Sequence, residues 1–162
     1  MILIALGANL PSPVGPPEAT LRAALDMLAQ RGAIPENVSG FYRTPAWPDA
    51  ADPTFVNAVS SLTTQLPPTE LLELLHEVET RFGRKRSAKN APRTLDLDLL
   101  DYAGMVQTGP PMLPHPRLEA RPFVLVPLRD IASDWRHPVS GRGLDTLIAG
   151  LGAAAQTPRR LA

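Results

Sequence analysis

The stretch PRTLDLDLL, Pro92 to Leu100, is where the fold and the chemistry of this chain meet. Leu95, Leu97 and Leu99 alternate with Thr94, Asp96 and Asp98. That is the period of two that sends one set of side chains into a core and the other to the opposite face of a strand. Aspartate is depleted in strands because its side chain competes for backbone hydrogen bonds, so two of them one residue apart ask for a reason beyond folding. Read as a strand, the stretch also closes an order of elements. Residues 2–6 are a short apolar strand stopped by Gly7, and PPEATLRAALDMLAQRG (16–32) places Leu21, Ala24, Leu25 and Leu28 at helical spacing. Prolines at its start and Gly32 past its end are helix punctuation. Residues 38–43 alternate as a strand, and TFVNAVSSLTTQL (54–66) is a second strand rich in β-formers. PPTELLELLHEVETRFG (67–83) is a helix with Leu71, Leu74, Leu75 and Val78 on one stripe.

The resulting β-α-β-β-α-β order is the ferredoxin-like α+β pattern, an antiparallel sheet with its two helices packed on one face. Beyond residue 100 the reading is coarser. RPFVLVPLRDIA (121–132) suits either a strand or a helix, GLDTLIAGLG (143–152) suits a short helix, and the last ten residues, AAAQTPRRLA, are expected to fray as the end of a C-terminal extension. Residues 1–162 are expected to form one domain, with no internal repeat.

Composition narrows the function. Formal charge is zero and the pI is near 6.8, which leaves no global field to attract nucleic acid or a membrane. No cysteine is present, so disulfides, thiolate metal sites and a cysteine nucleophile are excluded. MILIALGANL lacks a basic leader region and its apolar run is too short to span a bilayer. A cytoplasmic protein is expected.

Side chains two apart on a strand share a face about 6.5–7 Å from one another, so Asp96 and Asp98 project together. Two such carboxylates repel unless cations join them. Mg²⁺ takes one or two protein carboxylates plus phosphate and water oxygens, and a pair at this spacing suits one or two ions. A solvent-facing strand side, or ion pairs with nearby arginines, satisfies the same pattern. Upstream, Arg81, Arg84, Lys85, Arg86, Lys89 and Arg93 supply six of the chain's sixteen basic residues, with no acid between Glu79 and Asp96. Arginine forks beside paired carboxylates are what a Mg²⁺–polyphosphate complex needs. There is no P-loop signature, and a long basic loop could instead close over phosphates as a lid. Phe55 and Asn57 share a strand face, where a planar heterocycle could stack on the ring while the amide reads its edge. His115, Arg117 and Arg121 follow in PHPRLEARPF.

ALGANL, FYRTPAW (41–47), FVNAV (55–59), GRKR (83–86), PRTLDLDLL (92–100) and PHPR…RPFVLVPL (114–128) occur in the order seen in the 6-hydroxymethyl-7,8-dihydropterin pyrophosphokinases, and residues 1–130 resemble that family. The resemblance implies a ferredoxin-like enzyme of folate biosynthesis that moves a pyrophosphoryl group from ATP to the pterin hydroxymethyl oxygen and releases AMP. It implies that Asp96 and Asp98 hold two Mg²⁺ ions and that Arg84 and Arg93 engage the triphosphate as catalytic residues. Phe55 and Phe123 would sandwich the pterin and Asn57 read its edge, with Thr44, Pro45 and Trp47 lining that pocket. His115 and Arg121 would contact nucleotide phosphates, and Leu72, His76, Glu79 and Leu99 would form the wall beside ribose and adenine. Trp47 stands where relatives often carry an aliphatic residue, and Asn90 where some carry a tryptophan.

In this reading the substrates are small molecules, the enzyme is a monomer, and no nucleic acid or membrane is a partner. The mechanism expected is in-line displacement at the β-phosphorus with AMP as leaving group. A metal-dependent phosphodiesterase would use the same aspartate pair, and a non-catalytic binding module the same fold. AMP release from ATP with and without the pterin separates all three.

Overall fold

The computed structural model describes residues 1–85 and 91–162 of the chain. The expected helices are found, α1 over Pro17–Gln30 and α2 over Pro68–Arg81. Each has a proline at its first position, where a missing N–H costs nothing. Beyond α1 and α2 the chain turns at Gly32 and Gly83, both at positive φ, which glycine adopts without strain. Strand β1 is Ile2–Ala8, so Gly7 lies inside the strand rather than ending it. Strand β4 is Phe55–Thr63 and β5 is Asp96–Tyr102.

The single strand expected over 38–43 is instead two, β2 over Ile34–Val38 and β3 over Tyr42–Thr44, both paired with β4. The break has a local cause. Ser39 turns its hydroxyl onto the Val59 amide at 3.0 Å, substituting a side chain for the ladder, and the Gly40 amide leaves the sheet for the Asp130 carboxylate at 2.9 Å.

Among the described residues the sheet runs β5-β1-β4-β3-β6, with β2 also on β4, and every pairing is antiparallel. Allowing for the split strand, this is the ferredoxin-like order. The last strand, β6, is Arg159–Arg160. It pairs with β3, and the Leu161 amide donates to the Phe41 carbonyl at 2.8 Å, so this part of the tail is docked rather than frayed.

Both faces of the sheet are covered, which is why all of β1 is buried. On one face α1 and α2 pack Leu21, Leu28, Leu71, Leu75 and Val78 against Ile4, Leu6, Leu97 and Leu99. On the other lie two helices from the C-terminal part, α3 over Pro122–Leu128 and α4 over Leu144–Gly150. They bring Val124, Leu125, Leu128, Leu144 and Leu147 onto Leu3, Val59 and Leu100. The sequence expectation placed helices on one face only; the second layer is what the apolar run 121–132 builds. Buried side chains of this kind contribute roughly 1.5–3 kcal/mol each, so the C-terminal part is integral to the domain's stability. Trp135 closes this second core, its indole N–H donating to the buried Asp101 carboxylate at 2.8 Å.

Candidate active site

Register assembles the site. On β5, Asp96 stands opposite Gly7 of β1, and Gly7 stands opposite Asn57 of β4. Asn57 in turn faces Tyr42 of β3, and Tyr42 faces Arg160 of β6. Directly opposed residues share a sheet face, so these five form one row across five strands. Asp98, opposite Ala5, and Phe55, opposite Thr44, lie on the same face. It is the face covered by α3, whose start carries Arg121 and Phe123. Leu95, Leu97 and Leu99 point the other way, into the α1–α2 core.

The two aspartates are joined by arginines. Asp96 takes Arg84 Nη1 on Oδ1 at 2.5 Å and Arg93 Nη1 on Oδ2 at 3.0 Å. Asp98 takes Arg121 Nη1 on Oδ2 at 2.5 Å. All five side chains are only partly exposed, 12–28% accessible, so the pairs are sheltered from solvent and their charge interactions exceed those at an open surface. Two of the guanidinium groups also lie over rings: Arg93 is 5.7 Å from the Phe55 centroid and Arg121 5.5 Å from that of Phe123. Each of these arginines thus touches one aspartate and one aromatic, close enough for cation–π attraction.

Asn57 and Thr44 are both buried, and Asn57 Nδ2 donates to Thr44 Oγ1 at 2.8 Å. A Cβ at position 7 would stand 2.9 Å from Asn57 Oδ1, so the glycine leaves room for the amide. Pro45 and Trp47 are exposed on the loop after β3, Trp47 by 71%.

Glu79 is buried on α2, where its Oε1 accepts the Leu97 amide at 2.7 Å and Arg84 Nη1 at 2.5 Å. Its carboxyl is pushed up to about 7, first by desolvation. The Leu97 amide and Arg84 oppose the rise, while Asp96 and Asp98 add to it. The ion pair does not reverse that direction, because Arg84 divides its charge between Glu79 and Asp96. His115 is held below the usual imidazole range, by burial first and then by the Arg121 charge. Its Nδ1 accepts the Arg117 amide at 3.1 Å, which leaves the neutral ring presenting an Nε2–H donor. The His115 amide donates to the Leu100 carbonyl at 2.8 Å, tying this segment to β5.

Of the residues expected beside a nucleotide, Leu72, His76 and Glu79 fall on one face of α2 by their spacing of four and three. The Leu99 side chain is in the core, 4% exposed, and lines no open wall. Arg86, Lys89 and Asn90, and with them the expected basic lid, lie outside the described residues.

Two contributors escaped the sequence reading. The sequence predicts a strand end at Gly7, yet Gly7 lies inside β1 as the floor between Asp96 and Asn57. Asn9, 4% exposed, accepts the Arg93 amide on its Oδ1 at 2.8 Å and donates from Nδ2 to the Pro53 carbonyl at 3.0 Å. Its own amide donates to the Arg93 carbonyl at 3.1 Å. It therefore joins the approach to β5 to the loop that bears Trp47. A polar residue directly after an apolar strand was the available signal.

Among the described residues no group of three or more His, Cys, Asp or Glu could hold an ion. Two carboxylates on one face, with buried Thr94 Oγ1 lacking a hydrogen-bond partner among the described residues, fit Mg²⁺ that arrives with phosphate oxygens and water, not a resident metal in a protein cage. Among the described residues no helix is long and apolar enough to cross a membrane.

Comparison with known proteins gives the family and the fold. The model of the family described as 7,8-dihydro-6-hydroxymethylpterin-pyrophosphokinase (HPPK) matches residues 3–133. A protein of Synechocystis sp. named 2-amino-4-hydroxy-6-hydroxymethyldihydropteridine pyrophosphokinase is 39% identical over 158 residues, covering 96% of this chain and 78% of that one. A Pseudomonas aeruginosa protein of the same name is 39% identical over 153 residues, covering 91% and 90%. Among solved structures, a Plasmodium falciparum HPPK-DHPS triple mutant with STZ-DHP superposes with a TM-score of 0.74 at 11% identity, a likeness of fold alone. This chain is covered to 98% in that match and spans 46% of the Plasmodium chain.

Proposed function

Because the chain belongs to the 7,8-dihydro-6-hydroxymethylpterin-pyrophosphokinase family, we propose that it transfers the pyrophosphoryl group of ATP to 6-hydroxymethyl-7,8-dihydropterin, releasing AMP, and that the cleft above α3's start is where it does so. The observation that carries the site assignment is the pairing of Asp96 with Arg84 and Arg93 and of Asp98 with Arg121, with Arg93 over the Phe55 ring and Arg121 over that of Phe123. Anion-binding forks, carboxylates for a dication and two rings for a flat heterocycle stand within one sheltered face.

The pterin is placed between Phe55 and Phe123, with Asn57, oriented by Thr44 and by the space at Gly7, reading its edge. Pro45 and Trp47 lie on the loop that borders this pocket. Arg84, Arg93 and Arg121 exchange their carboxylate partners for triphosphate oxygens when the nucleotide enters, bidentate geometry favouring the phosphates. His115, neutral with an Nε2–H, donates to a phosphate without adding charge. Leu72, His76 and Glu79 face the ribose and adenine side. Asp96 and Asp98 would hold two Mg²⁺ ions together with the nucleotide; bound there, the ions would neutralise the triphosphate and lower the pKa of the attacking hydroxyl. The bond that forms joins the pterin hydroxymethyl oxygen to the β-phosphorus. The bonds that break are from that phosphorus to the α–β bridging oxygen, which leaves with AMP, and the hydroxyl O–H, whose proton is released to solvent. The arginines stabilise charge as it moves to that oxygen. A single-domain cytoplasmic monomer acting on small molecules is part of the same proposal.

The test is AMP release from Mg²⁺·ATP, with and without 6-hydroxymethyl-7,8-dihydropterin. Pterin-dependent AMP formation supports the reading; ATP turnover indifferent to pterin, or no turnover, overturns it.

A further inference from the structure

The row Asp96–Gly7–Asn57–Tyr42–Arg160 does not stop at the pocket. Its far end is held by a residue outside the cleft, Asp130, two residues past the end of α3. The Asp130 carboxylate accepts the Tyr42 hydroxyl at 3.0 Å on Oδ1 and 3.1 Å on Oδ2, and the Gly40 amide at 2.9 Å on Oδ2. Arg160 of β6 brings its Nη2 within 3.8 Å of the same oxygen. Arg160 also packs flat against Gly40, where a Cβ would stand 2.5 Å from its Nε. Tyr42 is opposite Asn57 in register, and two residues on, Thr44 holds the Asn57 amide.

We propose that Asp130 is a positioning residue for the heterocycle pocket: it fixes the distance between α3, which carries Phe123 at one end and Asp130 beyond the other, and the β3–β4 pair, which carries Thr44, Phe55 and Asn57. The two walls belong to different layers, and a sandwich for a flat ring works only at one separation. Packing of Val124, Leu125 and Leu128 on the sheet sets the layers roughly. A hydrogen-bonded carboxylate reaching both the backbone and a side chain of the segment from Gly40 to Tyr42 sets their lateral register. Arg160 completes the latch from the terminal strand, beyond residues 3–133 that the family model matches. A displacement of the order of 1 Å in such a constellation can cost about a hundredfold in rate or affinity. Asp130 makes no contact with Asp96, Asp98 or the arginines of the cleft, so its effect falls on the pterin and not on the nucleotide.

This proposal rests on the pterin reading above, and the experiment separates the two. Steady-state kinetics and direct pterin titration in the presence of a nonhydrolysable ATP analogue are measured for the unaltered chain, Asp130→Ala, Asp130→Asn and Tyr42→Phe. If the unaltered chain binds no pterin, the functional reading fails before the variants are compared. Given binding, Asp130→Ala is expected to raise KM for pterin about tenfold or more with KM for ATP within about twofold. Asp130→Asn, which keeps an acceptor, should recover most of that loss, and Tyr42→Phe, the mildest change, should reproduce a smaller part of it. Equal loss of both substrates, or folded variants with unchanged pterin affinity, would overturn the proposal.

Discussion

The Arg121 guanidinium joins Asp98 at 2.5 Å while lying 5.5 Å from the centroid of Phe123, two residues further along. One side chain therefore couples a carboxylate assigned to metal with a ring assigned to pterin. Arg93 repeats the arrangement with Asp96 and Phe55. The guanidinium groups of Arg84, Arg93 and Arg121 sit on the carboxylates, so the two aspartates share a strand face without mutual repulsion dominating. On the proposed function, the two readings of the Asp-x-Asp pair, ion pairs or metal ligands, become successive states of one site.

That exchange has a measurable consequence. Mg²⁺ or Mn²⁺ alone must compete with three guanidinium contacts, so its binding is expected to be weak and to tighten at least tenfold when a nonhydrolysable ATP analogue draws the arginines away. Arg121→Ala should strengthen metal binding without nucleotide while weakening nucleotide binding. Titration calorimetry with Mn²⁺, with and without the analogue, reads both; nucleotide-independent metal affinity would contradict the exchange.

Replacing either carboxylate removes its arginine partner and, on the proposed function, the metal contact. Asp96→Ala and Asp98→Ala are each expected to lower kcat by about 10²–10³-fold or more under saturating Mg²⁺·ATP and pterin, the range seen when one preorganised charge-stabilising group is lost. Circular dichroism should be unchanged, since both side chains point away from the leucine core. Near-normal turnover in a folded variant would remove the pair from the chemistry.

Gly7→Ala tests the floor of the cleft. The added methyl would sit 2.9 Å from Asn57 Oδ1, and Asn57 cannot swing freely because Thr44 holds its amide. A rise of roughly tenfold in the pterin dissociation constant is expected, with nucleotide affinity little changed. Fluorescence titration with the pterin measures it, and an unaltered constant would show that the amide does not depend on this space.

Glu79 makes stability depend on pH. Its folded carboxyl is pushed up to about 7, first by desolvation, from the ordinary glutamate value of 4.5. Between those values the unfolded chain has released the proton and the folded chain keeps it. The group's contribution is therefore fully present below about pH 4.5 and is lost as pH rises through about 7. Glu79→Gln should flatten that part of the profile. Urea midpoints at pH 5 and pH 8 are the measurement, with a difference on the order of 1–3 kcal/mol between the two proteins' pH responses. Parallel profiles would refute the shift.

The alternation in residues 94–100 and the leucine spacing of α1 and α2 determined, by themselves, a sheet with those two helices and a strand aiming Asp96 and Asp98 at one face. These are short-range periodicities: a period of two or 3.6 is imposed by the backbone wherever it extends or coils. The same rule placed Phe55 with Asn57. It misjudged residues 38–43, where a serine hydroxyl and a carboxylate 90 residues away replaced ladder bonds that local propensity favours.

Only the tertiary structure decided the rest. FVLVP in 123–127 is composed like a strand, yet it is helical, because the sheet face above Leu3, Val59 and Leu100 needed an apolar layer and burial outweighs propensity. Which arginine meets which aspartate, that Gly7 is a floor, and that Arg159–Arg160 dock on β3 are facts of register between segments far apart in the chain. Register follows from the global closing of loops and layers, and no local pattern encodes it.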